Sequence, residues 1–144
     1  MDPLPHHYSV VARASAEGEV ALESAGLPPL ASAGPREFGG PGDRWSPETL
    51  LVGALADCFI LTFRAVARAS KLPWSSLRVD VEGTLDRVER ATQFTGFRLR
   101  AALALPAGGD EALAHRLLEK SERGCLISSS LKGPVQLEAS VEVA

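Results

Sequence analysis

The sequence predicts a single α+β domain with antiparallel sheet and one long apolar helix. Segments between residues 76 and 143 alternate apolar and polar residues, as half-buried strands do. The segment 50–63 is apolar on nearly every side of a helix. The predicted order β-β-(β)-α-β-β-α-β is typical of an α+β domain with antiparallel sheet. A chain of 144 residues suits one domain covering residues 1–144.

The N-terminal part contains two short strand patterns and a long loop. "YSVVARA" and "EVALES" flank a turn signal at Gly18 and predict a hairpin. The segment from Gly26 to Arg44 is rich in glycine and proline, which predicts a long loop with at most one short strand. Loops of this length are usually functional or mobile.

The central helix has a clear start and a clear end. Ser46 is a good N-cap, Pro47 suits the first helical position, and Glu48 complements the positive helix end. The helix is expected to end near Ser70, before a Lys-Leu-Pro sequence. Its apolar middle predicts a helix that is buried all round. One small sheet cannot cover it, so we expect a partner subunit to do so.

The C-terminal part alternates cleanly. "SLRVDVEGTLDRVE" and "FTGFRLRAALALP" predict two strands, and "DEALAHRLLEKSER" predicts an amphipathic helix that ends at Gly124. A short helix is expected after Cys125, and "VQLEASVEV" predicts the last strand.

Composition and charge exclude several classes of protein. The chain is 45% hydrophobic and 23% charged, as in soluble globular proteins. A net charge of −3 gives no broad basic surface for nucleic acid. The longest apolar run, about 14 residues including Asp57, is shorter than the roughly 20 residues that a bilayer requires. The N-terminus has no signal pattern, so we expect a cytoplasmic protein with no membrane partner.

The two cysteines, Cys58 and Cys125, are the candidate chemical groups. In a reducing compartment they are core thiols or a transient redox pair, not a permanent disulfide. A lone cysteine in an apolar helix is usually structural. No CxxC motif is present, so neither a metal nor another cofactor is expected.

Two segments resemble the family of osmotically inducible protein C and organic hydroperoxide resistance protein (OsmC/Ohr). They are "SPETLLVGALADCF" and "GCLISSSLKGPVQLEASVEV". The element order resembles that of the family over nearly the whole chain. The resemblance implies an OsmC-like fold, with antiparallel sheets wrapped around a long buried helix in an intertwined homodimer.

The same resemblance implies a thiol peroxidase that acts in oxidative stress defence, with organic hydroperoxides as the preferred substrates and hydrogen peroxide as an alternative one. Cys58 would be the peroxidatic cysteine and Cys125 the resolving one, with a dithiol as reductant. The chemistry is sound, because a thiolate oxidised to a sulfenic acid condenses with a second thiol to a disulfide. The rival hypotheses are a non-enzymatic dimeric ligand-binding or stress-associated protein and a general thiol–disulfide exchanger.

The family activates the thiolate with an arginine that a glutamate holds, and Glu48 matches that glutamate in spacing. The first hairpin turn has no arginine, whereas Arg36 fits a placement in the loop before the helix, with Arg44 as the alternative. Each has a simpler explanation, because Glu48 also stabilises the helix dipole and Arg36 also suits a solvated loop. The family's usual Cys-Pro is Cys-Leu here, which leaves the approach of Cys125 less fixed.

Ten helical residues separate Glu48 from Cys58 by about 15 Å along the axis. Glu48 therefore cannot contact the thiolate of its own chain. If it acts on Cys58, it does so from the partner subunit, together with Arg36. The spacing thus predicts a two-fold dimer with two shared sites.

Overall fold

The elements follow the predicted order in the computed structural model, which describes all residues from Met1 to Ala144. The order is β1-β2-β3-α1-β4-β5-α2-α3-β6, with a short 3-10 helix before α1. The chain divides into two compact units, residues 1–51 and residues 52–144. The single domain over residues 1–144 stays a prediction.

The first unit contains a small antiparallel sheet. Strands β1 (Val11–Arg13), β2 (Val20–Glu23) and β3 (Leu30–Ser32) lie in that order. Gly18 has a φ of 95°, which glycine adopts without steric cost at the turn between β1 and β2. The predicted hairpin and the short strand within the long loop are both confirmed.

Helix α1 (Pro47–Ala69) begins where its capping residues predict. The Ser46 hydroxyl accepts a hydrogen bond from the Thr49 backbone N–H at 3.1 Å. In return, the Ser46 backbone N–H donates to the Thr49 hydroxyl at 2.8 Å. These two bonds satisfy backbone donors that a helix start leaves unpaired. The predicted N-cap is therefore confirmed.

Within one chain, burial of α1 is complete on one face only, and the cover of its other faces by a partner subunit stays a prediction. One stripe at four-residue spacing is fully buried: Leu55, Phe59, Phe63 and Ala67. Other apolar side chains of the helix are only half-buried, and Leu61 is 52% exposed. In a single chain, one face of α1 is thus fully buried and the remaining faces are only partly covered.

Helix α1 is also longer than its uninterrupted apolar run. Its 23 residues include an 18-residue window with a mean hydropathy of 1.9, so by length and composition alone it could cross a membrane. The expectation that this segment is too short to span was therefore wrong. The core helix of a soluble protein passes the same test, and one such helix is weak support for a membrane span.

The second unit contains a three-stranded sheet in the order β4 (Ser76–Val88), β5 (Ala91–Leu105) and β6 (Val135–Val143). Strands β4 and β5 are antiparallel, as predicted, but β5 and β6 are parallel. The expectation of purely antiparallel sheet was wrong at this pair. The reason is the helical connection between β5 and β6, because a crossover of this kind returns the chain in the same direction.

Helices α2 (Glu111–Gly124) and α3 (Leu126–Ser129) form that connection. The Asp110 side chain caps α2 by accepting a hydrogen bond from the Leu113 backbone N–H at 3.0 Å. The inward face of α2 is fully or almost fully buried, through Ala114, Leu117, Leu118 and Ser121. Cys125 is the single residue between the two helices, so both helix ends hold its backbone.

Candidate active site

Cys58 lies in the middle of α1 and is half-buried. It stands one residue before Phe59, a member of the buried stripe, so its side chain is at the edge of the covered face. The Cys58 thiol is free. Cys58 is therefore partly open to solvent, whereas the residues of the buried stripe are not.

Cys125 is 1% exposed and is also free. Its backbone N–H donates to the Glu122 carbonyl at 3.3 Å, and its own carbonyl accepts from the Ser129 N–H at 3.0 Å. The Ser129 hydroxyl donates to the same carbonyl at 3.1 Å. The short helix α3 thus forms although leucine replaces the expected proline, because the serines after Cys125 supply local hydrogen bonds.

The structure places the two thiols side by side. Burial raises the pKa of the Cys125 thiol, and its hydrogen bond to Cys58 and the negative charge of Cys58 raise that pKa further. The backbone N–H groups of Ser128 and Ile127 oppose this rise. Because a thiol with a raised pKa keeps its proton, Cys125 is a protonated thiol at neutral pH.

Thr62 is a third member of this cluster. Its hydroxyl donates to the Cys58 carbonyl at 2.7 Å, and the same oxygen lies 3.9 Å from the Cys58 sulfur. The sequence analysis did not select Thr62. The signal was present, because a threonine four residues after a cysteine shares its helix face.

Glu48, Arg36 and Arg44 belong to the first unit. One carboxylate oxygen of Glu48 is buried and has no hydrogen-bond partner.

Arg44 forms ion pairs with Glu19 at 3.1 Å and with Asp43 at 3.4 Å. Arg36 is exposed on the 3-10 helix (Arg36–Phe38), and its guanidinium lies against the backbone at Gly42 without an acidic partner. Of the two candidate arginines, only Arg36 is free to hold Glu48 or a thiolate.

The second unit thus combines a three-stranded mixed sheet with helices, and it contains two neighbouring free thiols. The family of OsmC-like proteins matches residues 40–140 of this sequence, so the chain belongs to the OsmC-like family. The match includes both cysteines and Glu48, and it leaves Arg36 outside. The family resemblance inferred from the two motif segments is confirmed.

Relatives with sequence identity near or above 30% support the same assignment. An uncharacterized protein, YmaD of Bacillus subtilis, is 35% identical over 114 residues, which cover 76% of each chain. An organic hydroperoxide resistance protein of Xanthomonas axonopodis pv. citri is 31% identical over 72% of this chain and 71% of its own. A crystal structure from Legionella pneumophila, described as an organic hydroperoxide resistance protein OsmC and predicted redox protein, is 29% identical with a TM-score of 0.74. It matches 96% of this chain and 100% of its own.

Proposed function

We propose that this protein is a cysteine-based peroxidase that reduces organic hydroperoxides in the cytoplasm, with Cys58 as the peroxidatic residue and Cys125 as the resolving residue. One observation carries the proposal: two free thiols are neighbours, and Cys125 is buried whereas Cys58 is only half-buried. The preference for organic hydroperoxides rests on the relative from Xanthomonas that is named for resistance to them.

The unequal burial of the two cysteines supports these roles. The half-buried Cys58 meets the peroxide first, while the buried Cys125 remains a protonated thiol. A hydrogen bond from the Cys125 thiol stabilises negative charge on the Cys58 sulfur. The Cys58 thiolate attacks one oxygen of the hydroperoxide, and the O–O bond breaks. Cys58 becomes a sulfenic acid, and the other oxygen leaves as an alkoxide that takes up a proton to form the alcohol.

The second step closes a disulfide. The Cys125 sulfur attacks the Cys58 sulfur, and the sulfenic hydroxyl leaves with the Cys125 proton as water. The new S–S bond joins Cys58 and Cys125. An external dithiol then returns two electrons by thiol–disulfide exchange and is itself oxidised to a disulfide. Every turnover thus consumes one hydroperoxide and one dithiol.

We further propose that the active unit is a homodimer in which Arg36 and Glu48 of one subunit complete the site of the other. The partly exposed apolar side chains of α1, including Leu61, support a partner over this helix. The unpaired buried oxygen of Glu48 supports a cationic partner such as a guanidinium. Sedimentation velocity tests the dimer, and a monomer at micromolar concentration would contradict it.

The chemistry is tested by adding sub-stoichiometric cumene hydroperoxide to the reduced protein and titrating free thiols. We expect rapid loss of two thiols per hydroperoxide consumed and a Cys58–Cys125 disulfide in the peptide map. Cys58→Ser should abolish hydroperoxide consumption, whereas Cys125→Ser should accumulate a sulfenic acid that dimedone traps. A wild-type rate no faster than that of free cysteine would refute the peroxidase and favour the non-enzymatic ligand-binding alternative.

A further inference from the structure

The side chain of Thr62 lies beside Cys58 at one end and faces the residue before Cys125 at the other. At one end, the hydroxyl oxygen lies 2.7 Å from the Cys58 carbonyl and 3.9 Å from the Cys58 sulfur. A small rotation of the hydroxyl hydrogen about the C–O bond can therefore direct it to either of two acceptors, the Cys58 carbonyl or the Cys58 sulfur. The Cys58 carbonyl also accepts the regular helical bond four residues on, so it keeps a partner if the hydroxyl turns away.

At the other end, the methyl group faces the chain just before Cys125. A Cβ atom built on Gly124 would lie 3.7 Å from the Thr62 methyl carbon, which is ordinary van der Waals distance. Gly124 is the last residue of α2 and precedes Cys125 directly. The methyl group of Thr62 is thus the group that the end of α2 at Gly124 would meet if it moved toward α1.

We propose that Thr62 is a positioning residue for both thiols: its hydroxyl orients the Cys58 sulfur, and its methyl group fixes the approach of Cys125. The inference rests on the proposed function of the two cysteines. When Cys58 loses its proton, the hydroxyl turns from the carbonyl to the sulfur and donates to it. Threonine suits both tasks, because its β-branch restricts χ1 and holds the hydroxyl and methyl in fixed directions.

Two substitutions separate the two tasks. Thr62→Val keeps the methyl group and the branched shape but removes the hydroxyl, whereas Thr62→Ser keeps the hydroxyl and removes the methyl group. Thr95→Val is a matched control in the same unit. The exposed Thr95 also donates to a backbone carbonyl, that of Thr84 at 3.3 Å, and it belongs to neither the cysteine pair nor its surroundings.

The two steps are measured separately. Iodoacetamide labelling with peptide mapping follows the reactivity of Cys58, and quenched mass spectrometry after cumene hydroperoxide follows sulfenic acid formation and disulfide closure. We expect Thr62→Val to slow labelling and oxidation of Cys58 about five- to tenfold, the effect of one lost hydrogen bond, and to move the labelling profile to higher pH. Thr62→Ser should label within about twofold of wild type but close the disulfide about fivefold more slowly. Thr95→Val should change neither rate.

Equal behaviour of Thr62→Val and wild type in both steps would overturn the proposal, as would equally slow labelling of Thr62→Ser and Thr62→Val. Circular dichroism establishes that each variant folds. If Thr62→Val does not fold, Thr62→Ala is used instead to test the loss of the hydroxyl. The rates of Thr62→Ala are then compared with those of Thr62→Ser, which keeps the hydroxyl. If wild type does not consume hydroperoxide, only the proposed function fails, because iodoacetamide labelling and disulfide closure by diamide still test Thr62.

Discussion

Stability above pH 8 depends on the buried Cys125 thiol. Burial and the neighbouring Cys58 raise the pKa of Cys125 in the folded protein, whereas a cysteine in the unfolded chain ionises near its ordinary pKa of about 8.5. Above that pH the unfolded state releases a proton that the folded state keeps. The unfolded state then binds fewer protons, so the free energy of unfolding falls as the pH rises.

The size of this fall in the free energy of unfolding follows from the release of one proton by the unfolded state. The slope reaches at most about 1.4 kcal/mol per pH unit, and it ends once the pH exceeds the folded pKa of Cys125. Between pH 8 and pH 10 the full loss is therefore about 2 kcal/mol if the folded thiol stays protonated throughout. Cys125→Ala removes this titration, so its stability should fall less over the same range.

Urea denaturation at pH 8, 9 and 10, at one protein concentration and with a phosphine reductant present, measures this difference. Trp74 is a suitable fluorescence probe, because its ring packs edge-to-face on the buried Phe63 at 5.4 Å. Ser121→Ala is the control: Ser121 is fully buried and lies close to Cys125 in sequence, but it does not titrate. Parallel pH dependence in wild type and Cys125→Ala would refute the reasoning, whatever the absolute stability of the variant.

Two further predictions concern the core and a helix cap. Phe59→Ala should lower the free energy of unfolding by about 3–5 kcal/mol, because Phe59 is fully buried, whereas Leu126→Ala at an exposed position should change it by less than about 0.5 kcal/mol. Similar urea midpoints for these two variants would contradict the assigned core. Asp110→Ala should cost about 1 kcal/mol by removing the side-chain bond to the Leu113 N–H, and Asp110→Asn should restore most of it. Thermal unfolding measures both, and an unchanged midpoint for Asp110→Ala would show that the cap contributes nothing.

Local signals in the sequence were sufficient to locate helix α1 and strands β4 and β5. Ser46 and Pro47 located the start of α1 because capping depends on neighbouring residues only. Alternation located β4 and β5 because the period of two is a property of the strand itself. The direction of β6 was not predictable in the same way, because alternation is identical in parallel and antiparallel strands.

The residues of the candidate site also differ in how far the sequence alone identifies them. Cys58 and Cys125 stand out in the sequence because the chain has only two cysteines, each in a recognisable segment. Thr62 does not stand out, since its contact with the surroundings of Cys125 depends on how the end of α2 meets α1. The roles of Glu48 and Arg36 stay predictions, because they depend on a second subunit.

One arrangement explains two incomplete features of α1. The helix exposes Leu61 and leaves other apolar side chains half-covered, although a soluble chain gains free energy by burying such surface. At its start, Glu48 buries a carboxylate oxygen without a hydrogen-bond partner, which costs about 1–3 kcal/mol or more for a charged group. A second copy of the chain over α1 would bury the apolar surface, and its contact with the start of α1 would hold the Arg36 guanidinium of the same subunit as Glu48 against the carboxylate. If this is so, Arg36→Ala should weaken the dimer as well as slow the reaction of Cys58, because the Arg36–Glu48 pair of one subunit lies against the thiolate of the other.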